Sequence, residues 1–147
     1  MSQSPQPANP AGGTTYPGQR LGLPEDGPGS VAGWGRRGLA LIVDWFACKL
    51  VLTVFLGAAA WSGSGLSQLA PLGLFLLEAA LLTTLAGGSF GQLVTRVAVV
   101  RVDNSPVTFL TALLRTFLIC LVVPPLVFNA DQRGLHDLAA KTITLRR

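Results

Sequence analysis

The sequence predicts an all-α membrane protein with two antiparallel transmembrane helices, a third apolar helix and a small cytoplasmic β-ribbon. Half of its 147 residues are hydrophobic and 12% are charged, whereas a soluble domain typically carries about 25% charged residues. The apolar residues form three long runs, and the first is long enough to cross a bilayer as a helix. The net charge of +4 comes from basic residues beside these runs, which is typical of cytoplasmic loops and does not indicate nucleic-acid binding.

Residues 1–30 precede the apolar runs and contain six of the ten prolines and six of the 17 glycines. So few apolar side chains cannot offset the entropy lost when a backbone becomes ordered. We therefore expect a disordered cytoplasmic tail over residues 1–30 and a membrane domain over residues 31–147. A solvated extension and a segment that docks a partner are the two interpretations of the tail.

The first two apolar runs predict transmembrane helices over about residues 38–60 and 66–86. The link between them, residues 62–65, has the sequence Ser-Gly-Ser-Gly and carries no charge. It suits a short outside turn. Arg36 and Arg37 would then keep the N-terminus in the cytoplasm, because positively charged flanks remain on that side.

A third apolar helix is expected over about residues 107–123, and two topologies are open for it. Four Lys and Arg residues follow this helix, so a full crossing would put the most basic part of the chain outside. Pro124 and Pro125 offer an alternative, because a helix usually ends at or before the residue that precedes a proline. We favour a re-entrant or interfacial segment, which could turn at these prolines, with a full crossing as the alternative.

Two segments beside the third run predict strands. Residues 93–102 are rich in β-branched side chains and lead into a turn-like segment that starts at Asp103. Residues 141–146 alternate polar and apolar side chains, which is typical of a half-buried strand. We expect the two strands to pair into a small cytoplasmic ribbon.

Four charged residues interrupt the apolar runs, namely Asp44, Lys49, Glu78 and Arg115. An ionisable side chain in hydrocarbon costs at least about 2.5 kcal/mol, so each should have a partner. The four are expected at similar depth and sum to no net charge. We expect Lys49 to pair with Glu78, and Asp44 to pair with Arg37 or Arg115. Their spacing does not distinguish interhelical fasteners from a cation-binding or proton-binding site.

Three motifs in the chain resemble one known family. They are Arg37-x-x-Ala-x-x-Val-Asp44, then Gly88-x-x-Gly-Gln leading to Arg96, and finally Arg133-Gly-Leu-His-Asp137. Their order is similar to that of the RDD family of small bacterial membrane proteins, named for one arginine and two aspartates, over residues 33–146. The resemblance implies a signature polar site of Arg37, Asp44 and Asp137, and a multi-pass protein of the bacterial plasma membrane. Many members have a further hydrophobic pass where this chain is short.

Asp137 also has an interpretation that does not depend on the resemblance. It follows the last apolar run, three residues after the chain-breaking Gly134. Its carboxylate could accept hydrogen bonds from Arg37 or Arg133 at the cytoplasmic interface, and direct ligand binding is the alternative.

The sequence contains no pattern typical of an enzyme. It lacks a nucleophile and base at a known spacing and a glycine-rich phosphate loop, and His136 is its only histidine. We therefore expect no catalytic residue, no cofactor and no metal site.

Two hypotheses for the function follow. The first is a transport protein for a small cation or another small ligand, as suggested for the RDD family, with Arg37, Asp44 and Asp137 on the cytoplasmic side. It would act as a homo-oligomer or with a membrane partner, because two or three helices cannot enclose a pathway in the lipid bilayer alone. The second is a non-transporting scaffold or accessory subunit whose charged residues are structural.

Overall fold

The computed structural model of the protein describes residues 15–62, 65–121, 126–127, 129 and 131–147. Two short 3-10 helices, Gln19–Leu21 and Gly65–Leu69, precede the first and third α-helices. In chain order, the described α-helices are α1 (Trp34–Leu56), α2 (Ala59–Ser62), α3 (Ala70–Ala86), α4 (Phe90–Val94), α5 (Phe109–Cys120) and α6 (Leu135–Ala139). The strands are β1 (Val97–Arg101) and β2 (Thr142–Arg146).

Helix α1 is the one described helix that is long and apolar enough to cross a membrane by length and composition. Its 23 residues span about 35 Å, against a hydrocarbon core of about 30 Å. The helix begins and ends about four residues earlier than the sequence predicts. Its end lies at Gly57, whose φ of 57° suits glycine and whose N–H donates to the Thr53 carbonyl.

Helices α3 and α5 are shorter than the predicted second and third runs. The 17 residues of α3 span about 26 Å, and the 12 residues of α5 span about 18 Å. Helices α1 and α3 run antiparallel: Lys49 in the second half of α1 and Pro71 at the start of α3 line one cavity. At the other end, Asp44 in the first half of α1 contacts Ser89, just after α3 ends.

The predicted pairing of the two strands is confirmed, because β1 and β2 pair antiparallel with Val99 opposite Thr144. The first strand begins later than predicted, since residues 93–94 end α4 and residues 95–96 form a turn. Strand β1 precedes α5 and β2 follows it, so both ends of the third apolar segment return to the same end of the molecule. Pro124 and Pro125, where we predicted the turn, lie outside the described residues.

Residues 15–30 differ from the predicted disordered tail. The Gly29 N–H donates to the Arg146 carbonyl at 2.8 Å, and the Arg146 N–H donates to the Ser30 carbonyl at 2.9 Å. The Gly18 N–H donates to Asp131 Oδ1 at 3.4 Å. Backbone hydrogen bonds hold this segment against the open edge of β2. Our prediction of disorder considered only the apolar side chains and did not include such backbone hydrogen bonds. Residues 1–14 lie outside the described part of the chain.

The side chains are arranged as expected for a lipid environment. Large apolar side chains face outward, among them Leu50, Phe55 and Leu85 at 67%, 79% and 75% exposure. The buried positions of the helices hold small or polar side chains instead, which is typical of helices that pack inside a membrane. The charged residues Asp44, Arg115 and Asp137 are all buried.

Candidate functional site

Asp137 lies at the centre of a buried polar cluster at the ribbon end of the molecule. Its carboxylate is fully buried and accepts hydrogen bonds from Arg115 Nε at 2.8 Å and from the Thr142 and Thr144 hydroxyls, each at 3.1 Å. Arg37 Nη1 lies 3.6 Å from the second carboxylate oxygen. We call these five residues the Asp137 cluster, and both oxygens of its carboxylate are occupied.

Four elements supply the Asp137 cluster. Arg37 comes from the first turn of α1, Arg115 from α5, Asp137 from α6, and the two threonines from one face of β2, where alternate residues point the same way. The predicted approach of Arg37 to Asp137 is confirmed as an ion pair rather than a hydrogen bond, because Arg37 Nη1 donates to the Gln132 carbonyl at 2.8 Å. The alternative partner, Arg133, instead donates to the backbone carbonyl of Thr142 at 3.0 Å.

The surroundings of Asp137 favour its charged form. Burial alone would raise the pKa of this carboxyl, but Arg115, His136 and Arg37 together lower it well below its usual range. The carboxylate is therefore ionised at neutral pH and neutralises two arginines that reach it from different helices.

Asp44 has polar partners without a formal charge. It is 1% exposed, and its oxygens accept hydrogen bonds from the Ser89 hydroxyl at 2.6 Å and from the Gly91 N–H. The prediction that Asp44 pairs with Arg37 or Arg115 is therefore wrong, because both arginines contact Asp137.

Close packing between α1 and α4 makes the Asp44 contacts possible. A Cβ at Gly91 would overlap the Ala40 carbonyl oxygen and lie 2.9 Å from Asp44 Cγ. Ser89 also caps α4 in a capping box with Gln92. Sequence reasoning missed Ser89, although the Ser-x-x-Gln spacing could have indicated it. It also missed Thr142 and Thr144.

The predicted ion pair between Lys49 and Glu78 is also contradicted. Lys49 is 8% exposed and donates to the Ala60 carbonyl at 2.7 Å. Its ammonium lies 5.6 Å and 5.5 Å from the ring centres of Trp45 and Trp61, within cation–π range. The chain folds back at Gly57, which brings α2 over Lys49 and supplies a carbonyl where we expected a carboxylate.

Glu78 is a residue of α3 whose side chain reaches the start of α4. Its Oε1 accepts a hydrogen bond from the Phe90 N–H at 2.7 Å, so Glu78 and Asp44 bind successive N–H groups of one short helix. Its Oε2 is buried and has no hydrogen-bond partner among the residues that the structure describes. Of the intramembrane charges predicted from the sequence, Glu78 therefore retains an unused polar atom.

A groove of about 700 Å³ lies between α1 and α3, and we call it the α1–α3 groove. Its walls include Val43, Phe46, Trp61, Glu78 and Phe90. Glu78 is the one acidic or basic side chain among the described residues that line it. Within the described part of the chain, no three potential metal ligands of the His, Cys, Asp or Glu type come together.

Comparison with known proteins identifies the family of the chain. The RDD family model matches residues 31–141, a range that contains Arg37, Asp44 and Asp137. No curated protein and no solved structure matches the chain. The family match covers most of the chain, and α1 has the length and composition of a membrane span. The chain is therefore a small membrane protein that belongs to the RDD family.

Proposed function

We propose that the protein binds a lipophilic organic cation in the α1–α3 groove and takes part in its transport across the membrane. The unpartnered Oε2 of Glu78, in the wall of an otherwise apolar groove, carries this proposal. A buried polar atom without a hydrogen bond is unusual in a native structure and calls for a specific explanation. A cationic ligand would supply the missing partner.

The chemistry of the groove favours an organic cation over a metal ion. Calcium takes about six to eight oxygen ligands, whereas the described walls offer one free carboxylate oxygen. The walls are mostly apolar, and Phe46, Trp61 and Phe90 contribute aromatic rings that can interact with a cation through their π faces. The volume of about 700 Å³ falls within the range of roughly 300–1,000 Å³ typical of small-molecule sites.

The signature residues have a different role in this proposal. Both oxygens of Asp137 and both oxygens of Asp44 already accept hydrogen bonds within the protein. Arg37, Asp44 and Asp137 therefore fasten the ribbon end and α4 to the helices, and they position the groove without touching the ligand.

The proposed topology has α1 and α3 as two antiparallel spans and α5 as a re-entrant helix in the plasma membrane. Strand β1 precedes α5 in the chain and β2 follows it, and the two strands pair. This pairing supports a return of the segment around α5 to the side of the membrane from which it enters. Arg36, Arg37 and Arg147 bind backbone carbonyls at this end, which supports a cytoplasmic location for the ribbon and the N-terminus. A second copy of the chain or another membrane protein would close the open side of the groove.

The test is binding of tetraphenylphosphonium to the purified protein, followed by its uptake into proteoliposomes. Glu78→Gln should weaken binding at least about tenfold, because the substitution removes the countercharge. The chain's other glutamate, Glu25, is exposed, and Glu25→Gln should bind as the wild type does. Equal binding by wild type and Glu78→Gln would refute the role of Glu78, and binding without uptake would refute transport.

The second candidate function is a non-transporting scaffold or accessory subunit, and the saturated contacts of Asp44 and Asp137 favour it. Glu78→Gln distinguishes the two candidates when protein amount and cation flux are measured together, because Glu78 carries the proposed ligand contact. Loss of the protein itself favours a structural role, and loss of flux in a folded protein favours transport. Deletion of residues 1–14, which removes none of the contacts described above, tests whether the N-terminal segment docks a partner.

A further inference from the structure

We infer that the protein binds the headgroup of an anionic phospholipid in a second pocket, at the head of α1. This pocket of about 440 Å³ is lined by Arg36, Leu39, Val43, Val94, Thr95 and Arg96, and we call it the Arg36–Arg96 pocket. It lies where α1 meets the turn between α4 and β1. The inference does not depend on cation binding in the α1–α3 groove.

Both arginines are held in place while their side chains remain exposed. Arg36 Nη1 donates to the Thr95 carbonyl at 3.1 Å, which fixes the guanidinium across the pocket. The backbone of Arg96 adopts a left-handed conformation with φ 56°. Its N–H donates to the Leu93 carbonyl at 3.2 Å and its carbonyl accepts from the Arg147 N–H at 2.9 Å, so its position is fixed from both sides.

The Arg36–Arg96 pocket lacks an internal countercharge. Its described lining contains no Asp or Glu, and no ion pair between described residues includes either arginine. A neighbouring pocket at the same end differs, because Glu25 and Asp26 line it together with Arg36 and Arg146. Two guanidinium groups without a carboxylate suit a phosphodiester, which the planar fork of an arginine can bind in a bidentate manner.

The apolar wall of the pocket indicates a lipid as the source of this phosphate. Arg36, Leu39 and Val43 lie on one face of α1, at spacings of three and four residues. Leu39 is 53% exposed and Val94 57% exposed, so the pocket changes from cationic to apolar along the direction in which α1 enters the membrane. Basic pockets beside membrane helices bind the headgroups of anionic lipids by this combination. A free phosphate or a nucleic acid would leave the apolar wall unused.

Native mass spectrometry of the protein extracted from mixed phosphatidylglycerol and phosphatidylcholine membranes tests the inference. The wild type should retain phosphatidylglycerol in preference to phosphatidylcholine. The double variant Arg36→Gln with Arg96→Gln should reduce that preference roughly 25-fold, since each surface arginine contributes a factor of about five. The charge-matched control, Arg20→Gln with Arg146→Gln, alters two arginines outside this pocket and should keep the preference.

The other possible results of this experiment also support or overturn the inference of lipid binding. An equal loss in the control variant would show general charge attraction and overturn the inference. Displacement of the lipid by millimolar inorganic phosphate would overturn the lipid as the source of the anion. If the double Gln variant does not fold, Arg36→Lys with Arg96→Lys keeps the charge but loses the bidentate geometry. A reduced preference in that variant supports the site, and an unchanged preference overturns it.

Discussion

Replacing Asp137 by asparagine would test whether the Asp137 cluster holds the fold together. The cluster directs N–H and O–H donors at the carboxylate from Arg115, Thr142 and Thr144, and the Arg37 guanidinium lies 3.6 Å from it. An asparagine side chain has almost the same shape, but it carries no charge and presents an NH2 group where acceptors are needed. The two arginines would lose the anion that neutralises them.

The expected loss follows from the burial of the pair. The side chains of Arg115 and Asp137 are 4% and 0% exposed, and Arg115 Nε lies 2.8 Å from Asp137 Oδ1. Removal of one partner from such a buried pair costs about 3–5 kcal/mol, because the other charge stays buried without compensation. This is a large part of the total stability of about 5–15 kcal/mol that is typical of a folded domain.

The assay is reversible unfolding of the purified protein in detergent, followed by circular dichroism. Asp103→Asn is the matched control, because Arg101 Nη2 and Asp103 Oδ2 also lie 2.8 Å apart while the Asp103 side chain is 52% exposed. We expect only a small change in the control, since solvent screens an exposed pair. Equal losses in the two variants would refute the reasoning. Adding Arg115→Met to Asp137→Asn should recover part of the lost stability, because it removes the uncompensated charge.

Three further predictions concern pH, packing and the buried lysine. The neighbours of Asp137 hold the pKa of its carboxyl below the usual value. The charged carboxylate therefore contributes its full stability above about pH 4, and this contribution is lost as the pH falls through the folded-state pKa. On acidification, the unfolding midpoint of the wild type should fall more than that of Asp137→Asn. Gly91→Ala should destabilise the protein by about 1–3 kcal/mol or more, because the added Cβ overlaps α1. At Gly73 in α3 a Cβ meets nothing within 4 Å, so Gly73→Ala should be neutral or stabilising by up to about 1 kcal/mol. Chemical denaturation measures the free energy of unfolding of both variants. An amine-reactive reagent should modify the exposed Lys141 and leave Lys49 unmodified until the protein unfolds, and equal labelling found by peptide mass spectrometry would contradict the burial of Lys49.

The parts of the fold with a regular side-chain pattern could be predicted from the sequence. Long apolar runs indicated α1 and α3, and alternation of polar and apolar residues indicated β2. The partner of β1 was also predicted correctly, because the segments around β1 and β2 were the two strand-like patterns in the sequence. The end of α1 was not predicted, since the residues after Gly57 remain apolar while the backbone at that glycine reverses the chain.

The partners of the intramembrane charges could not be predicted by matching opposite charges. Asp44 is bound by a hydroxyl and a backbone N–H, and Lys49 by a carbonyl and two aromatic faces. Such partners have no formal charge, and they depend on close approaches such as that of Gly91 to α1. Only the contact between Arg37 and Asp137 followed from the expected meeting of the two chain segments.

The contacts of α1 also impose an order on the biogenesis of the protein. Asp44 and its partner Gly91 are separated by 47 positions along the chain, and Arg37 and the Thr144 carbonyl by 107. As the ribosome releases α1, neither charged side chain can yet have its final neighbours. Until the later segments follow, the Asp44 carboxylate and the Arg37 guanidinium lack the neighbours that bind them in the folded protein. Membrane entry and completion of the polar core are therefore separate events in time.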